Sequence, residues 1–187
     1  RIASEKNVEA LLRAWRQFDQ QGCRLVIVGD GPLRPTLENN SIFNKDNNVL
    51  WWGYESDINR RVALLQSSEV FLLPSLVEGL SIALLEAMAT GTACVATDAG
   101  ADGEVLKNGA GIILNTEGVT SQLRTLLPVL RDQPVLTNEL GRRARLRVEE
   151  KYTLQQNIDS LETLYADVLR SSNSKLLQPI DDSSELP

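Results

Sequence analysis

The chain contains no histidine. A histidine general base, a histidine-ligated metal and a serine–histidine pair therefore cannot be completed from its own residues. Cysteine is almost as scarce. Cys23 and Cys94 stand far apart, each beside an expected strand, which reads as two free thiols rather than a disulfide and favours the cytosol. No Asp-x-Asp and no paired cysteines occur, so the expectation is that the chain holds no metal and no resident cofactor. No apolar run approaches the roughly 20 residues that span a bilayer, and no charged-then-apolar signal segment opens the chain. Positive charge is also in short supply: 19 Lys and Arg stand against 25 Asp and Glu, a net charge of −6, which argues against nucleic acid as a partner. Any anion must instead be met by a local positive site. Methionine occurs once, at Met88, and the chain opens on Arg1, which reads as a fragment of a longer protein.

What the chain has is 187 residues, 42% of them hydrophobic, enough for one globular domain with a sizeable core. Val8, Leu11, Leu12, Trp15 and Phe18 recur at helical spacing, and Gln21-Gly22 closes that helix. Short apolar runs at Leu25–Val28, Val49–Trp52, Val70–Leu73, Ala93–Thr97 and Gly111–Leu114 read as strands. Helical patterns separate them: a short helix after Pro35, Ile58–Gln66, the apolar run from Ser81 to near Gly91, and a brief turn near Glu104. Strands reached through helices give an open, mainly parallel, doubly wound α/β sheet of the Rossmann-like kind. Three helices follow, near Thr120–Leu130, Leu136–Lys151 and Leu154–Arg170. The expected domain is therefore 1–170, with a mobile tail at 171–187. Such nucleotide-binding halves open on a strand, whereas this chain opens on a helix, so a first strand, central in the common order, is expected to be missing.

In open α/β sheets ligands bind beyond the carboxyl ends of the strands. The loop after the third strand runs Pro74-Ser75-Leu76-Val77-Glu78-Gly79-Leu80-Ser81 into the apolar helix that carries Glu86. Backbone N–H groups at the positive end of that helix offer a diphosphate site. Glu86, about two turns inside among apolar residues, would need a hydrogen-bond donor if buried, and a ribose diol could supply one. Read alone, Glu78 is better taken as a dipole partner at the helix start and Glu86 as a solvated residue. Gly29-Asp30-Gly31-Pro32 lacks the third glycine of the dinucleotide fingerprint, because Arg34 stands there.

The segments LVIVGDGP, VFLLPSLVEGLSIALLEAMATG and CVATDAG, in this spacing, resemble glycosyltransferase family 4, with similarity over about Arg1 to Arg170. The resemblance implies the C-terminal, donor-nucleotide-binding half of a two-domain GT-B glycosyltransferase that retains anomeric configuration. It implies that Glu86 holds the donor ribose and that Glu78 lies against the donor sugar and diphosphate. The backbone of Gly79, Leu80 and Ser81 would meet phosphates or sugar hydroxyls, and Arg1 and Lys6 would neutralise the leaving diphosphate. Gly29 and Gly31 would shape the cleft, and Gly53 and Tyr54 would lie near the nucleobase. The implied ligand is a UDP-, GDP- or ADP-linked sugar, and the implied partner is an N-terminal acceptor domain, without which the fragment is expected to be inactive. The intact enzyme would be cytoplasmic, with peripheral membrane association at the inner face left open. Two alternatives stand beside this reading: a sugar-nucleotide epimerase of the same plan, and a nucleotide-binding regulatory module without turnover. The loop Gly100-Ala101-Asp102-Gly103-Glu104 departs from the family pattern, which has a second glycine there.

Overall fold

The structure is a computed structural model that describes residues 1–44 and 48–176. A single 3-10 turn, Ser4–Lys6, leads through Asn7, whose φ of 51° is left-handed, into α1 (Val8–Arg16). Then follow β1 (Leu25–Val28), α2 (Arg34–Glu38), α3 (Ser41–Asn44), β2 (Val49–Gly53), α4 (Ile58–Gln66), β3 (Val70–Leu73), α5 (Ile82–Ala89) and β4 (Ala93–Thr97). A one-turn α6 (Asp102–Val105), β5 (Ile112–Leu114) and the long helices α7 (Val119–Asp132), α8 (Pro134–Lys151) and α9 (Leu154–Leu176) complete the order. This is the expected doubly wound, mainly parallel α/β architecture, consistent with the C-terminal half of a GT-B fold.

Every strand pair among the described residues is parallel, as crossover helices require. The pairs form two ladders, β1–β2 and β3–β4–β5, rather than one continuous sheet of five. Leu25 pairs with Val49, Val70 with Ala93, and Val95 with Ile112. The start of the chain ties the two ladders at their carboxyl ends. Ile2 N donates to the Asp30 carbonyl after β1 (2.8 Å), and Leu76 N, after β3, donates to the Glu5 carbonyl (2.7 Å).

β4 is buried along its whole length, because helices cover both of its faces. Ala93 and Val95 point into a core shared with Leu11, Leu12 and Trp15 of α1 and Leu123 and Leu127 of α7. Cys94 and Ala96 alternate to the other face, where α5 packs and buries Leu84, Ala87 and Met88 completely. Leu84 and Met88 each contribute about 1.5–3 kcal/mol when fully buried, so α5 is fixed by its apolar face while its N-terminal end stays open. Ser81, with extended backbone, caps α5 by accepting from Leu84 N (3.3 Å), and Gly91 in the left-handed region ends it.

The chain divides into two compact units, Arg1–Glu150 and Lys151 onward. The second contains α9, which extends past the expected Arg170 to Leu176. The rest of the expected mobile tail, 177–187, lies outside the described residues. Among the described residues no helix is long and apolar enough to cross a membrane.

Candidate functional site

Pro74 ends β3, and the chain turns at Ser75, a fully buried residue whose carbonyl accepts from the hydroxyl of Thr97 at the end of β4. Three residues on, Glu78 points back under the loop. Its Oε1 receives both Lys6 Nζ (2.5 Å) and Ser75 Oγ (2.6 Å). The Glu78 side chain is 9% exposed and that of Lys6 26%. Lys6 arrives from the first turn of the chain, held there by the Leu76–Glu5 backbone bond. The pair thus joins two strand-end segments and places a half-buried ammonium beside a nearly buried carboxylate. In this less polar setting their attraction exceeds that of a surface pair, although desolvation offsets much of it.

The loop between Glu78 and α5 is clamped from the far side. Ser81 N donates to Oδ1 of Asp102 (2.9 Å), and Ala101 N donates to the Gly79 carbonyl (2.7 Å). Gly100 makes this approach possible: it sits at φ +60°, and a Cβ there would fall on the carbonyl oxygens of Glu78 and Gly79. Ser81 is therefore engaged twice, its hydroxyl as helix cap and its amide with Asp102. The amides of Gly79 and Leu80 donate to nothing among the described hydrogen bonds, so of the three expected phosphate-facing residues these two present free N–H groups.

Asp102 is 1% exposed, and its second oxygen, Oδ2, has no hydrogen-bond partner among the described residues. Burial pushes its pKa above the ordinary carboxylate value; the Ser81 N–H opposes that rise, the charge of Glu78 adds to it, and Lys6 opposes it.

Glu86 lies about one turn inside α5, not two: the helix opens at Ile82, just past its cap Ser81. It does not meet Glu78. Its side chain is 36% exposed, and its Oε1 faces Arg61 Nη2 of α4 at 3.5 Å. The same guanidinium donates through Nη1 to the carbonyls of Ser56 (3.1 Å) and Glu55 (3.5 Å).

Those carbonyls belong to the loop after β2, which begins at Tyr54. Glu55 braces it, accepting from Asp57 N (3.0 Å) and Trp52 Nε1 (3.2 Å). These two donors, in that order, lower the Glu55 pKa. Tyr54 is exposed, and Gly29 N donates to the Gly53 carbonyl (2.7 Å), so the turns after β1 and β2 are joined. Arg34 of α2 lies over Gly53, and Gly31 packs so closely on the backbone of Ile2 that a Cβ would overlap it. The backbone of Arg1 borders Gly29, while its exposed side chain makes no hydrogen bond or ion pair among the described residues.

The strand ends therefore bring together Lys6, Glu78, the 79–81 loop and, one helical turn along, Glu86. Sequence reading did not single out Ser75, Arg61 or Asp102. Only Asp102 had a signal, as one of two acidic residues in a loop that departs from the expected pattern.

Comparison with known proteins identifies the family and the fold. Residues 1–132 match the family model described as glycosyl transferases group 1. The N-acetyl-alpha-D-glucosaminyl L-malate synthase of Bacillus anthracis is 30% identical over 90% of this chain and 44% of its own length. Thus the chain spans less than half the length of this curated relative. Among solved structures, the C-terminal domain of a glycosyl transferase group 1 family protein (LpcC) from Francisella tularensis superposes with a TM-score of 0.71 at 21% identity, covering 82% of this chain and 83% of that one. Anabaena HepE, solved in complex with UDP, superposes with a TM-score of 0.76 at 20% identity over 89% of this chain and 47% of its own. At those identities the likeness establishes the fold. The family match rests on sequence over more than half the chain, and by it the chain is a GT-B glycosyltransferase domain belonging to the group 1 glycosyl transferases.

Proposed function

We propose that this domain binds a nucleoside-diphospho sugar and holds it for transfer, with retention of configuration, to an acceptor bound by the rest of the enzyme. The observation that carries the reading is the constellation at the start of α5: a half-buried Lys6–Glu78 pair, two free amides at Gly79 and Leu80, and Glu86 one turn further along the same helix. Each part has a task. The ammonium of Lys6, the N-terminal end of α5 and the guanidinium of Arg1 stabilise charge that grows on the leaving diphosphate as the glycosidic bond breaks. Lys6 leaves Glu78 as it turns to the phosphates, and Glu78, still held by Ser75, then lies against the donor sugar. Glu86 accepts from the ribose hydroxyls, and the loop from Gly53 to Tyr54 borders the base.

Preplaced cations and backbone dipoles need no reorganisation at the moment of reaction, which is how such a site lowers a barrier. Sugar identity and acceptor choice belong to the outer loops and to the partner domain. The domain alone is inactive, and the intact enzyme works at the cytoplasmic side. The relative bound to UDP, Anabaena HepE, supports a uridine donor as the first choice to test. The test is calorimetric titration with UDP, GDP, ADP and, as a negative control, NAD. Saturable binding of one diphosphate, weakened at least about tenfold by Glu86→Ala and absent with NAD, is the expected result. Indifference to all three diphosphates by the folded protein would sink the reading.

A further inference from the structure

The donor-site reading assigns the base to one loop and the ribose to one carboxylate, and these lie on separate elements. One side chain touches both. Arg61 stands in the middle of α4, whose start is fixed by Asp57 accepting from Asn59 N (2.8 Å). Its Nη1 donates to the carbonyls of Glu55 and Ser56, in the loop that follows Gly53 and Tyr54, and its Nη2 faces Glu86 Oε1 across 3.5 Å. The Arg61 side chain is 32% exposed, so the guanidinium lies at the rim between α4 and α5 rather than in bulk solvent. Arg60, its neighbour, is by contrast 70% exposed and only approaches Glu55, at 3.9 Å.

We propose that Arg61 is a positioning residue that couples base and ribose recognition in the donor site, and this inference rests on the donor-site reading. The planar guanidinium presents several donors in a fixed fork, so one end can hold a loop while the other orients a carboxylate. With Oε1 turned toward Arg61, Glu86 keeps Oε2, which has no hydrogen bond among the described residues, for a ribose hydroxyl. A lysine cannot reproduce this, because its single ammonium cannot reach two carbonyls and a carboxylate in one plane. Fixing the carboxylate before the ligand arrives spares the ordering cost on binding, and that saving appears only for ligands that use the carboxylate.

The test compares the ribo and 2′-deoxy forms of UDP, ADP and GDP by calorimetry, on wild type, Arg61→Gln, Arg61→Lys and the neighbouring control Arg60→Gln. Thermal melts confirm folding of each variant. Wild type is expected to prefer the ribo form of its nucleotide by about tenfold, the scale of one hydrogen bond to a charged group. In Arg61→Gln that preference falls to about twofold while the deoxy form loses little; Arg61→Lys falls between, and Arg60→Gln matches wild type. A ribo preference undiminished in Arg61→Gln, or equal weakening of both forms, overturns the inference and leaves the donor site standing. A wild type that binds no nucleoside diphosphate overturns both.

Discussion

The ion pairs at the strand ends and those along α8 are made of the same groups and serve different ends. On α8, Glu139 meets Arg142 and Arg143, and Arg145 meets Glu149, all at spacings of three or four residues on one helix and all well exposed. At the strand ends, Lys6 meets Glu78 and Arg61 meets Glu86 across different elements, with Glu78 almost buried. Helical neighbours find each other wherever the helix forms, at little gain in water. A pair assembled from distant segments exists only because the fold brings its groups together against the cost of desolvation. A local pair reports a helix, whereas a distant, shielded pair reports the tertiary fold.

The sharpest way to break the strand-end arrangement is to remove the close approach on which it depends. Gly100→Ala puts a Cβ on the carbonyls of Glu78 and Gly79 at a positive φ, so loop and clamp must separate. The expected loss is about 3 kcal/mol in chemical denaturation, together with loss of nucleotide binding. A fully stable Gly100→Ala variant would mean that the clamp yields without cost.

Next in size is the direct comparison of the two kinds of pair by double-mutant cycles. For Lys6–Glu78 a coupling of about 1–2 kcal/mol is expected, with Lys6→Ala alone costing more than the coupling because it strands a nearly buried carboxylate. The same cycle on Arg143–Glu139 should give a much smaller value. Equal couplings would remove the distinction between the two regions.

The same contrast explains how much was legible in the sequence. β1, β3, β4 and α4 carry the bounds read from the sequence, because Gly29, Pro74, Asp57 and Gly91 are local stops. The division of the strands into two ladders was not legible, since strand pairing is set by segments distant in the chain. Of the candidate site, Glu78 and Glu86 stood out by their place at the start of and inside the apolar helix after β3, and Lys6 only through the family resemblance. Arg61 looked like any polar-face residue of α4, and its meaning comes only from Glu86, on another helix. Ser75 likewise matters through Glu78 and Thr97, a relation that no local period reveals.

A smaller effect tests Asp102, the carboxyl group that clamps the loop. Its pKa is raised in the folded protein above the ordinary 3.8, chiefly by burial. In the window between the two values the folded state binds more protons than the unfolded one, so this residue adds stability as pH falls from neutral, and the gain levels off below the unfolded value. Asp102→Asn keeps an oxygen for Ser81 N and removes the titration. Wild type is therefore expected to gain on the Asn variant as pH falls from about 7 to about 4. Parallel stability profiles for the two proteins would show that burial does not penalise the charged form.

The smallest expected effect belongs to Glu139, and its sign is the opposite. Hydrogen bonds from Arg142 and then Arg143 lower its pKa from the ordinary 4.5 to about 2. With a depressed folded value, its contribution is present above the unfolded pKa and fades as pH falls toward 2. Its side chain is 39% exposed, so solvent and salt screen most of that contribution. Glu139→Gln is accordingly expected to lower the melting temperature slightly at neutral pH and low salt. The difference should vanish near 0.5 M salt, where the screening length is about 4 Å, and again in acid, where wild-type Glu139 is itself protonated. The Lys6–Glu78 cycle, run at both salt concentrations, should keep most of its coupling, because its carboxylate is shielded from the ions that screen α8. If the two pairs lose coupling in the same proportion, Glu78 is as solvated as Glu139, and the strand-end pair is one more surface contact.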